Sequence, residues 1–233
     1  MRAAFVTSAR AATFVRSSTG EVPMRGLERY APLTGLLFVL LVIVAVIVGG
    51  ETPGANDGIV KVIKYWREND DQAIAASIIA AFSTVALLWF AGVWRAVLAA
   101  AERPPARLAA TAFAGAIVGA VGWSMLIAFN FMAADTVGDV EPQVTQTFSA
   151  LQSDFFFPLA IGFSVFLLAS GLALVRTGIF PAWMGWVAIV LGVLCVTPAG
   201  FVAILLMLAW IIAVSLMLFM RTTPAEGPVP PPD

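Results

Sequence analysis

Apolar positions in this chain do not alternate with polar ones; over most of its length they run together. Residues 33–48, 73–94, 108–133, 155–175 and 182–220 are nearly free of charge. Uncharged apolar runs of about 18 residues read as membrane-crossing helices. The last run is 39 residues, about 58 Å as one helix, against a hydrocarbon core of ~30 Å. Thr197-Pro198-Ala199-Gly200 interrupts it, which predicts a tight hairpin of two spans, 182–198 and 201–220. Were that break only a kink, five spans would remain. The reading is an all-α polytopic membrane protein: a six-helix transmembrane bundle over 31–220, flanked by a leader over 1–30 and a Pro-rich tail over 221–233.

Two polar connections carry their own periodicity. Ile59, Val62, Ile63 and Trp66 fall at i, i+3, i+4, i+7, with Lys61, Lys64 and Glu68 opposite. That is a short amphipathic helix lying on the membrane surface or capping the bundle. Asn69 or Asp70 is placed to cap the helix that follows, and its acidic first turn suits the helix dipole. Pro142 is a good first-turn residue. Val144, Phe148, Leu151 and Phe155 then recur at helical spacing, predicting a helix that starts outside the bilayer and runs into the fourth span, kinked at Pro158. From 142 to 175 is 34 residues, roughly 51 Å, so the excess must project outward. Pro104–Pro105 ends a helix.

Composition narrows the chemistry. The chain is 61% hydrophobic and 12% charged over 233 residues, where soluble domains carry about 25% charge. It has no histidine and one cysteine, Cys195. This removes disulfides, zinc, His-ligated haem and iron–sulfur clusters, and with them the usual general base. No cofactor and no metal site is expected, no basic stripe points to nucleic acid, and no motif names a reaction. The chain is read as non-catalytic.

Charge distribution sets a topology. With six spans, ten arginines and five acids fall on one side, including Arg95, Arg103, Arg107, Arg176 and Arg221. Lys61, Lys64 and Arg67 face nine acids on the other. Basic connections stay in the cytoplasm. Both termini are therefore expected inside a bacterial inner (plasma) membrane, with the acidic loops outside. The leader has arginines and hydroxyl residues but no apolar core for a signal peptide. Met24 reads as the initiator, and leader and tail as disordered.

Candidate sites follow from polar or aromatic groups where lipid is expected. Asp154 lies near the outer interface, as a boundary carboxylate or as a polar group at the mouth of an outward cavity. Ser77, Ser83, Thr84, Trp123, Ser124, Asn130, Ser164, Ser170, Trp210 and Ser215 lie within spans, as glue between helices or as the lining of a small amphipathic pocket. Tyr65, Trp66, Asn130, Phe148, Asp154, Phe155 and Phe156 are the expected ligand-binding residues, because aromatic stripes and isolated polar groups coincide at one membrane level. The ligand would be a lipid or a small apolar molecule. Gly115 and Gly119 form a G-x-x-x-G within a span, backed by Ala112, Ala116 and Ala120, and predict a close helix contact. That contact is internal to the bundle or joins two copies. A small permease or lipid carrier is the alternative and would need a continuous polar path. An enzyme using the outer carboxylates would need them to converge.

The segments "GGETPGANDGIVKVIKYWREND" and "ALQSDFFFPLAIGFSVFLLASGLALVRTGIFPAWMGWVAIVLGVLCVTPAG" resemble bacterial six-span membrane proteins catalogued only as a domain of unknown function. The resemblance covers about 24–220, and its most recognisable element is the R-T-G-x-x-P-x-W turn at Arg176–Trp183. It implies a small integral protein of the cell envelope and assigns no residue a role.

Overall fold

A computed structural model describes residues 30–54 and 56–222. The leader, the proposed start at Met24 and the Pro-rich tail from 223 onward lie outside the described residues. Every element is helical. A 3₁₀ turn, Ala31–Leu33, leads into α1 (Thr34–Gly49). The short α2 (Ile59–Glu68) precedes the long α3 (Asp70–Glu102) and α4 (Arg107–Asp135). After these come α5 (Pro142–Asp154), α6 (Phe157–Thr177), α7 (Ala182–Cys195) and α8 (Gly200–Thr222). Five segments are long and apolar enough to cross a membrane, the α5–α6 pair counting as one, and α7 is a sixth, shorter apolar helix. The chain is a multi-pass membrane protein.

The helices form a ring in which α1 packs on α3, α3 on α4, α4 on α6, α6 on α7, α7 on α8 and α8 back on α1. Across it, α3 meets α6. The centre is aromatic: Trp94 packs edge-on to Trp210 at 5.8 Å, and Trp210 edge-on to Phe166 at 6.1 Å. Trp94 Nε1 donates to Ser170 Oγ at 2.9 Å, and Trp210 Nε1 to the Met184 carbonyl at 3.1 Å. Both indole donors are thus satisfied inside a core that offers no water.

The break at 196–199 is a hairpin. Trp210 reaches back to Met184, and Arg221 donates to the Ile179 carbonyl with its guanidinium 4.4 Å from the Phe180 ring centre. Only an antiparallel return of α8 along α7 pairs these residues. Tyr30 and Phe219 stack at 6.3 Å, so both described ends lie at one end of the bundle. That end holds Arg103, Arg107, Arg176 and Arg221; α2, α5 and the acidic loops occupy the other.

The tightest seam joins α4 to α6. A Cβ on Gly119 would lie 2.7 Å from the Phe163 ring, and one on Gly115 2.9 Å from the Gly162 carbonyl. Gly122 faces the backbone of Leu159, and Gly162 that of Gly119. Gly115 and Gly119 therefore serve a contact inside the bundle. The seam also uses Gly122 and Gly162, which the G-x-x-x-G spacing did not single out.

Two local expectations are corrected. Asn69 does not cap α3 with its side chain: Asn69 Nδ2 donates to the Tyr65 carbonyl at 2.8 Å, closing the last turn of α2 instead. Asp70 Oδ1 accepts only from the adjacent Asp71 N–H. The helix from Pro142 does not run through either; it breaks at Phe155 (ψ 49°) and restarts at Phe157, with Pro158 in the first turn of α6 rather than at a kink. On α5 the spacing left the buried face open. Thr145 and Ser149 are its fully buried residues, while Val144 is 40% exposed.

Candidate functional site

The acidic end of the bundle is closed by a cap built on the end of α1. A helix leaves its last carbonyls without intrahelical partners. Here Tyr65 Oη donates to the Gly49 carbonyl at 3.1 Å and Gln72 Nε2 to that of Val48. Burial raises the Tyr65 phenol above its ordinary pKa. The loop after α1 is then sewn to α5: Ser153 Oγ donates to the Pro53 carbonyl at 3.3 Å, and Gln146 Nε2 to that of Asp57 at 3.4 Å. Asp57 also accepts from Lys61 Nζ at 2.8 Å and from the Gly54 N–H at 2.9 Å. The Lys61 hydrogen bond, then that of Gly54, hold the Asp57 carboxyl below its ordinary value.

Below the cap lies a cavity of about 180 Å³. Its back wall is the small-residue stripe Ala76, Ser77 and Ala80 of α3. Ala45, Val46 and Gly49 of α1 form one side, and Trp123, Leu126, Ile127 and Asn130 of α4 the other. Gly50, Thr52 and Gln152 cover the outer end. Alanine, serine and glycine are small enough to leave this space where three helices meet.

The polar groups of the cavity are ordered in depth. Asn130 Nδ2 donates to Ser77 Oγ at 2.9 Å and to the Ala73 carbonyl at 3.3 Å. Ser77 Oγ in turn donates to Ala73 at 2.9 Å. About two helical turns deeper, Trp123 Nε1 donates to Ser83 Oγ at 3.0 Å. At the outer end Gln152 Oε1 is buried with no hydrogen-bond partner. Thr145 Oγ1 and Ser149 Oγ, at i−7 and i−3 from Gln152 on α5, are likewise buried and unpartnered, as is Trp66 Nε1. None of the residues lining the cavity is ionisable.

Of the seven expected ligand-binding residues, Asn130 alone lines this cavity. Tyr65, Trp66 and Phe148 belong to the cap's own small core with Val62, Ala73, Ala133 and Ala134. Phe155 meets Phe129 edge-on at 5.4 Å. Phe156 lies beside the α7–α8 turn, in a groove with Cys195 and Gly200. Asp154 ends α5 and is exposed. The structure does not bring the seven together: they fall in five separate places.

Ser77 and Trp123 were legible as polar or aromatic groups within spans. Gln152 was not, because the apolar spacing that marks α5, Val144, Phe148, Leu151 and Phe155, passes over it. Its signal was the competing row Thr145, Ser149, Gln152 at i, i+4, i+7. Among the described residues no group of three or more carboxylates and cysteines is placed to hold a metal ion. No family model, curated protein or solved structure matches the chain, so the site is read from its own chemistry alone.

Proposed function

We propose that this is a non-catalytic membrane protein, sensory or accessory in role, that holds a lipid or other small apolar molecule in the cavity beneath its acidic cap. The observation that carries the reading is the cavity itself: about 180 Å³, apolar in its depth, with an unpartnered amide at its outer end. Dry cavities near 150 Å³ in protein cores take up molecules the size of benzene. The basic end of the bundle faces the cytoplasm and the cap faces outward, by the rule that positive connections stay inside. The membrane is the bacterial inner membrane.

The packed rings of Trp94, Phe166 and Trp210 favour holding over conduction, since they fill the path from the cavity toward the basic end. A lipid carrier is the second reading. Ser77 and Ile127 line both the cavity and a separate groove of about 450 Å³ on the α3–α4 face, between Ile78 and Phe131. A chain lying in that groove would be one side-chain layer from the cavity. Lipid flux into liposomes above an empty control would favour the carrier.

Native mass spectrometry of the protein released from its own membranes in mild detergent tests the holding role. The expected result is a retained mass on the wild-type chain and none on Leu126→Trp, which fills the cavity. A bare wild-type chain removes the reading.

A further inference from the structure

The geometry points to a ligand class: a neutral amphiphile with a hydrogen-bonding head, a hydroxyl or an amide, seated head-outward against Gln152 and Asn130. This rests on the holding role proposed above and narrows it.

Two amide side chains, Asn130 and Gln152, line the outer end of the cavity. The orientation of Asn130 is fixed by its partners. The Ala73 carbonyl can only accept, so the atom facing it must be Nδ2. Ser77 Oγ already donates to Ala73 and so accepts from the same Nδ2. This leaves Asn130 Oδ1 without a protein donor. The Gln152 amide is buried at Oε1 and has no protein partner at either end, so either end can face the cavity. A buried polar group left unmade costs about 1–3 kcal/mol, and Gln152 supplies one in this cavity. A head group with an O–H or N–H satisfies what the protein does not.

Charge excludes the other common heads. No lysine, arginine, aspartate or glutamate lines the cavity, so a carboxylate, phosphate or ammonium would enter without a counter-charge. Burying an unpaired ion is far costlier than burying a hydroxyl. Depth sets the orientation. Asn130 and Gln152 are outermost, while Trp123, seven residues before Asn130 on α4, lies roughly 10 Å deeper beside Ala80 and Leu126. The apolar body of the ligand therefore points into the bundle.

The test uses Trp123 as reporter. Full-length protein in nanodiscs is titrated with bromohexanol, bromohexane and bromohexanoate, whose bromine quenches indole fluorescence. The signal assigned to the cavity is the saturable quenching that disappears in Trp123→Phe. Bromohexanol is expected to bind about tenfold more tightly than the other two, the worth of one buried hydrogen bond. In Gln152→Leu that preference should fall toward parity while bromohexane binds at least as well as before. Gln152 gives up no hydrogen bond to the protein, so this variant keeps the fold. Equal affinities for alcohol and alkane in the wild type overturn the inference and leave the holding role intact. Tightest binding of the carboxylate also overturns it. Absence of saturable quenching by any probe overturns both.

Discussion

Single side chains in this protein matter most where lipid removes water as an alternative partner. Trp94 shows this. Its indole is 1% exposed and its N–H has one acceptor, Ser170 Oγ. Ser170→Ala strands that donor in the core and should lower stability by about 1–2 kcal/mol, measured by denaturant titration in micelles; Ser170→Thr should restore most of it. Glu102 acts across a turn. Ala106 offers α4 no side-chain cap, and the Glu102 carboxylate accepts from the Leu108 and Ala109 N–H groups, each at 3.0 Å. Glu102→Ala should cost about 1 kcal/mol, the usual worth of a cap, by the same titration. Asp57 gives the cap a pH dependence. Its carboxyl is held below the ordinary value of 3.8 by Lys61 and Gly54, so its contribution is complete above that value and is lost as pH falls through the lowered one. The Gly54 amide resonance should titrate with a midpoint below 3.8. Asp57→Asn at neutral pH should expose the loop to trypsin at Lys61.

Between elements, the controlling quantity is how closely two backbones approach. Without a hydrophobic force between helices in lipid, close packing supplies the attraction. Gly162→Ala drives a methyl into the Gly119 backbone, where no flexible side chain can yield. It should destabilise by at least about 1–3 kcal/mol and be the worst single substitution in α6. Gly92→Ala is the internal control: nothing lies within 4 Å of that site, and the change should be neutral in the same unfolding measurement. The α4–α6 contact was legible because small residues four apart on a helix admit few uses. Its partner Gly162 was not, since a lone glycine in a run of Ala, Ile and Phe declares no spacing. The buried side of α5 was not legible either: Phe148 packs against the cap's core while Val144 faces outward, and the residues the helix buries fully are Thr145 and Ser149.

At the scale of the whole molecule, the α7–α8 hairpin fixes the parity of the bundle and hence the side on which α8 ends. Arg221 holds that hairpin closed through Ile179 and Phe180. For the proposed orientation, cysteines introduced at Lys61 and at Arg103, in a chain whose Cys195 is replaced by serine, should label from opposite sides of intact cells, Lys61 from outside. Labelling of both from one side would overturn the topology. The sequence by itself determined the solvent, the number of apolar runs, the positions of most breaks and the segregation of charge, because these depend on runs of residues and lipid enforces them strongly. Only the tertiary structure decided which side chains share a space. The cavity exists because small residues of α1 and α3 leave a gap beside α4, between positions as far apart in the chain as Ala45 and Asn130, and because α5 lays Gln152 over it. That depends on the relative rotation of packed helices, a property of the interfaces between them, which no periodicity along one helix contains.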